Sequence, residues 1–146
     1  MNNSIARILF ENDLFKVDQE WIPETSYEVI TGSVSYGITT ESSDTDIVRI
    51  TVPPLEYIFP TVSGHIPNFG NNPPKFDSSQ QHHMNFENNQ YDVAIYGLIK
   101  FFQLAAENNP NICDVLFVDD KFILHSDNVG KIIRDNRKLF LHKGSY

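Results

Sequence analysis

Asp44–Val52 (DTDIVRITV) carries the strongest strand pattern in this chain. Its β-branched residues favour a pleated, half-buried backbone. Pro53-Pro54 ends it, because proline cannot donate to a central ladder. Side chains at i and i+2 of a strand share a face, so Asp44 and Asp46 stand in line with Val48, Ile50 and Val52. Two acids at the head of an apolar face need compensation. Like charges that close repel and raise a pKa unless a cation sits between them. Hard oxygen donors of this kind suit Mg²⁺ or Mn²⁺, which take further oxygens from substrate phosphates.

The segment before it supplies a second part. Tyr27 to Thr31 reads as a strand running into Gly32. Gly32 allows close backbone approach, and Ser33 offers a hydroxyl and an amide to a phosphate at the start of a short helix or loop. Taken singly, a Gly-Ser is a turn and a DxD is a weak motif. The order strand, Gly32-Ser33, connector, Asp44-Thr45-Asp46, strand is far more restrictive.

Around this centre, Asn3–Phe15 has an interrupted helical period. Pro60–Gln90 holds four of the eight prolines and is expected to be irregular, with Pro60–Gln81 the least ordered part and His82–Phe86 a possible strand leading to Tyr91 and Asp92. Ile95, Leu98, Ile99, Phe102 and Ala106 mark a helix face. Asn109 and Pro110 open a second helix, Lys121–Leu124 suggests a short strand, and Ser126 or Asp127 caps a last helix. The fold class expected is α/β (α+β), with a small mixed sheet flanked by helices in one domain over 1–146.

Charge and composition bound the function. At 146 residues with 40% hydrophobic and 21% charged, the chain can bury a real core. A net charge of −8 argues against a passive nucleic-acid coat, but not against an enzyme that meets nucleotides through cations. The single cysteine, Cys113, excludes an internal disulfide and a multi-cysteine zinc site. With no leader pattern and no long apolar run, a cytoplasmic protein without a membrane span is expected. His65, His82 and His83 read as solvated loop histidines, since neighbours on a regular strand face opposite ways. Tyr91, Tyr96, Phe101 and Phe102 are candidates for stacking a base, while Phe102 and its helical neighbours read more simply as core.

The Gly32-Ser33 to Asp44-Thr45-Asp46 pattern resembles the nucleotidyltransferase superfamily typified by DNA polymerase beta. Two blocks, SVSYGITTESSDTDIVRITVPPLEYIF and YDVAIYGLIKFFQLAAENNPNICDVLFV, resemble the phage and bacterial branch of nucleotidyltransferases often linked to RNA ligases. NRKLFL near the end extends the resemblance. It implies that Gly32 and Ser33 hold nucleotide phosphates, and that Asp44, Asp46 and a third carboxylate bind Mg²⁺ or Mn²⁺. That third group is Asp92, with Glu87 the runner-up and capping the alternative role for Asp92. The implied reaction moves a nucleoside monophosphate from a nucleoside triphosphate to a hydroxyl, with RNA among the acceptors.

The chain departs from the family pattern at Val34, where an arginine is usual. Arg49 or Lys100 is the candidate replacement. Family members also continue beyond the KGSY stretch as a helical part. A separate chain supplying that part, an inactive fragment, and a non-catalytic binding module are therefore the competing expectations.

Overall fold

A computed structural model describes residues 4–18, 25–38 and 44–141. Its centre is a five-stranded mixed sheet in the order β3-β4-β2-β1-β5. The strands are β1 (Tyr27–Thr31), β2 (Thr45–Thr51), β3 (Ser78–Phe86), β4 (Asn89–Gly97) and β5 (Ile123–Ser126). β2 and β4 run parallel, and the other pairings are antiparallel. The helices are α1 (Ile5–Glu11), α2 (Gly32–Tyr36), α3 (Leu55–Ile58), α4 (Leu98–Ala106), α5 (Pro110–Phe117) and α6 (Asn128–Asp135). The expected α/β class is what the chain adopts. Among the described residues, no helix is long and apolar enough to cross a membrane.

The register divides the core in two. Tyr27 pairs with Ile50, Val29 with Val48 and Thr31 with Asp46, so these side chains share one face. On that face Tyr27, Val29 and Ile50 form one buried cluster with Phe101, Ala105, Ile112, Val115, Leu116 and Ile133 of α4, α5 and α6. On the other, Ile47, Val93 and Ile95 cluster with Ala6 and Leu9 of α1, Phe15 and Met84. Fully burying a side chain such as Leu9 or Ile95 contributes about 1.5–3 kcal/mol relative to leaving it exposed.

Several helix boundaries follow local chemistry. The Asn109 side chain accepts from the amides of Asn111 and Ile112, with Pro110 at the first helical position. The Asp127 side chain accepts from the Gly130 amide at the start of α6. Phe140, expected on that helix, lies beyond it on the 3-10 turn Arg137–Phe140. At α1, Ser4 caps Arg7 while the buried Glu28 carboxylate accepts from the amides of Ile5 and Ala6, at 2.8 and 3.3 Å.

The second half of the chain holds more strand than its sequence pattern predicts. Ile95 belongs to β4, and α4 begins only after Gly97, where a Cβ would lie 2.7 Å from the Phe76 carbonyl. The expected irregular stretch gives way at Ser78 to β3. The hairpin to β4 turns at Glu87-Asn88, both at positive φ, a backbone that matches a two-residue hairpin turn. Residues 39–43 of the connector between Gly32-Ser33 and Asp44 lie outside the described residues.

Candidate active site

The site forms where β1 ends and β2 and β4 begin, on the face carrying α4, α5 and α6. Asp46 faces Thr31 across the antiparallel β1–β2 pair and Asp92 across the parallel β2–β4 pair. Asp44 lies just before β2 and is half-buried. A cavity of about 330 Å³ opens here, lined by Gly32, Tyr36, Asp46, His82, Asp92 and Asp114 among others, with no lysine or arginine among the described residues of its wall.

Gly32 has a specific job. Its φ is +66°, and a Cβ built there would lie 2.0 Å from Asp46 Oδ2. The space left by the missing side chain is therefore occupied by the Asp46 carboxylate. Only glycine combines this backbone with that approach. Ser33 follows it as a half-buried residue of α2. At the cavity rim, the Tyr36 hydroxyl bonds the Asp114 carboxylate, which raises the tyrosine pKa, with partial burial adding to the effect.

Asp92 is a strand residue, so the capping role is excluded; Gly97 occupies the N-cap of α4. Glu87, at the tip of the hairpin, is an exposed turn residue. It sits five residues from Asp92 in sequence and takes no part in the cluster of ligand atoms described below.

β3 contains a bulge between Gln81 and Met84. Gln81 faces Val93 and Met84 faces Tyr91, which leaves both His82 and His83 opposite Asp92. His82 Nδ1 lies 2.7 Å from Asp92 Oδ2, and the His83 amide donates to Asp92 Oδ1 at 2.7 Å. Both histidines lie on β3 and not in a loop, which corrects that part of the expectation, while both are solvent-exposed as expected. The alternation rule fails because the bulge inserts one residue, with His83 at φ +58°. His65 lies elsewhere, in the loop after α3.

Ligand atoms of Asp44, His83 and Asp92 lie within 4.8 Å of one another. His83 Nδ1 is 3.9 Å from Asp44 Oδ2. Asp46 stands outside that mutual group among the described residues, against Gly32, yet it senses both acids. Burial, then the charges of Asp92 and Asp44, raise its pKa, while His82 opposes them. For Asp92, burial works upward but is outweighed by the His83 amide and the His82 ring, so its pKa is lowered. The carboxylates of Asp44, Asp46 and Asp92 and the His83 imidazole fit a divalent ion by the chemistry of their donors.

Arg49 does not replace the arginine missing at Val34. It is fully buried on the opposite sheet face, with Nε 3.0 Å from Glu28 Oε2. Its position in the strand, one residue out of phase with Asp46 and Val48, accounts for this. Of the aromatic residues, Tyr96 lines the cavity. Phe101 is core, and Phe102 stacks on Phe140 with centroids 5.7 Å apart.

Comparison with known proteins gives this arrangement a context. Residues 6–146 match the RNA repair pathway DNA polymerase beta family. The chain is also similar to an uncharacterised 38.9 kDa protein from the nrdC-mobD intergenic region of Enterobacteria phage T4, at 35% identity over 112 residues. That match covers 75% of this chain and 31% of the phage protein, so the chain spans about a third of that relative's length. No solved structure matches the chain significantly. The chain therefore belongs to the RNA repair pathway DNA polymerase beta family, a nucleotidyltransferase-type family.

Proposed function

We propose that this chain carries a metal-dependent nucleotidyl transfer site, in which a hydroxyl attacks the α-phosphate of a nucleoside triphosphate, takes the nucleoside monophosphate and releases pyrophosphate, with RNA as the acceptor class. The observation that carries the reading is the pairing of Asp46 with Asp92 in register on adjacent parallel strands, with Asp44 just before β2 and Gly32 against Asp46. The family's description as an RNA repair pathway family supports RNA as the acceptor.

Asp44, Asp46 and Asp92 would hold Mg²⁺ or Mn²⁺. When bound, such an ion lowers the pKa of the attacking hydroxyl and offsets charge on the triphosphate. The residues of the chain do the rest. The backbone at Gly32 and Ser33 receives the phosphates at the end of β1. Asp92 accepts the proton of the acceptor hydroxyl, and His82 orients it through the bond to Oδ2. The acidic cavity wall repels a bare triphosphate, which makes the reaction depend on a cation. Most of the acceleration would come from positioning and electrostatics.

The test is incubation with nucleoside triphosphates labelled at the α-phosphate and RNA bearing free hydroxyl ends. Label should enter the RNA with the native chain and divalent metal, and fall at least about 100-fold in Asp46→Asn. Equal incorporation by the variant would refute the assignment.

A further inference from the structure

We propose that His83 is a nitrogen ligand of the metal site, and that it tunes the site toward Mn²⁺ over Mg²⁺. This rests on the reading of Asp44 and Asp92 as metal ligands and adds a donor that reading did not contain.

The geometry comes first. His83 Nδ1 faces Asp44 Oδ2 at 3.9 Å, too far for a hydrogen bond between them. Two ligands each about 2.1 Å from one octahedral ion lie about 3 Å apart when adjacent and about 4.2 Å apart when opposite, and this gap is near the second value. Asp92 completes the group, with all three ligand atoms within 4.8 Å.

The backbone supports the same assignment. His83 sits at positive φ in the β3 bulge, and its own amide is anchored to Asp92 Oδ1 at 2.7 Å. A left-handed non-glycine residue costs on the order of 1 kcal/mol and persists where the surroundings determine it. Here the bulge turns a ring that would otherwise point away from the acids toward Asp44. His82 is committed differently, through Nδ1 to Asp92.

Chemistry then sets the preference. An all-carboxylate site suits Mg²⁺ and Mn²⁺, whereas an imidazole adds affinity for transition ions and little for Mg²⁺. A mixed oxygen and nitrogen set therefore separates two ions that an oxygen set holds more evenly.

The experiment compares the native protein with His83→Asn, His82→Asn and Asp44→Asn. Asparagine tolerates positive φ and keeps the amide bond to Asp92, so His83→Asn removes the ring without removing the bulge. Mn²⁺ alone is titrated into metal-free protein and followed by loss of the free-ion electron paramagnetic resonance signal, with Mg²⁺ as competitor. Pulsed spectra of bound Mn²⁺ are read for nitrogen coupling. Native protein should show that coupling, and His83→Asn should lose it while the Mn²⁺ to Mg²⁺ affinity ratio falls about tenfold. His82→Asn should keep the coupling. No nitrogen coupling in native protein, or an equal loss of both ions in His83→Asn, overturns the proposal. If native protein and Asp44→Asn bind neither ion, the metal-site reading fails with it. If native protein binds both, Asp44→Asn binds neither and His83→Asn leaves the ratio unchanged, the nitrogen ligand alone fails.

Discussion

Gly32 shows how much of the site depends on one missing methyl group. Its positive φ and the 2.0 Å approach of Asp46 Oδ2 to the Cβ position mean that alanine must move either the backbone or the acid. Gly32→Ala should lower stability by about 1–2 kcal/mol, from the left-handed backbone alone. Its effect on function should be larger, because the displaced carboxylate is one of the proposed metal ligands. Metal-dependent triphosphate binding should weaken at least about tenfold, a change of about 1.4 kcal/mol, at a temperature where circular dichroism shows the variant folded. Unchanged binding would mean that Asp46 has no part in holding the nucleotide. The approach of Asp46 to Gly32 was legible in the sequence, because local spacing and strand alternation are enough to bring the two together. His83 was not. Its orientation depends on a bulge that exists only once β3 has paired with β4, and no local pattern announces it.

At the scale of elements, α1 is tied to the sheet by a buried charge. Glu28 accepts from the Ser4 hydroxyl at 2.6 Å and from two α1 amides, and it pairs with Arg49 directly across β1 and β2. Removing one partner of a buried ion pair leaves the other uncompensated, which costs about 3–5 kcal/mol. Glu28→Ala should therefore destabilise by about that amount in urea unfolding, and Glu28→Leu combined with Arg49→Met should lose less than Glu28→Ala. A double variant weaker than the single would show that the pair itself, rather than avoidance of a lone charge, holds α1. Elements were unevenly readable. β2 and α5 carry strong local signals in their β-branched run and their Asn109 cap. β3 is largely polar and lies at the sheet edge, so its sequence SSQQHH lacks the alternation by which a strand is recognised. Ile95 fitted a helical period by coincidence and was claimed by β4, which ends at the crowded Gly97.

For the whole molecule, Tyr27 joins sheet and helices and gives stability a definite alkaline limit. Its hydroxyl donates to the Val115 carbonyl at 3.4 Å and accepts from Arg134 Nη1 at 3.2 Å. Arg134 also donates to the Leu116 and Val118 carbonyls and pairs with Asp120 at 2.8 Å. Burial raises the Tyr27 pKa above its ordinary 10.0, against the smaller opposing effect of Arg134. The folded state therefore favours the neutral phenol. That contribution is fully present below the unfolded pKa and is lost as pH rises through the folded one. Urea midpoints should fall above about pH 10, and the gap between native protein and Tyr27→Phe should narrow there. A gap that stays constant to higher pH would contradict the assignment.

The same molecule carries a net charge of −8 and gathers Asp44, Asp46 and Asp92 at the head of two parallel strands. Calorimetric titration of divalent metal with nucleoside triphosphate into the native chain, Asp44→Asn and Asp46→Asn tests this centre most directly. The native chain should bind the metal–nucleotide pair and bind nucleotide without metal at least about tenfold more weakly, and each variant should lose at least about tenfold in affinity for the pair. Native protein that binds neither ligand, or variants that bind the pair as tightly as native protein does, would contradict the metal-site account.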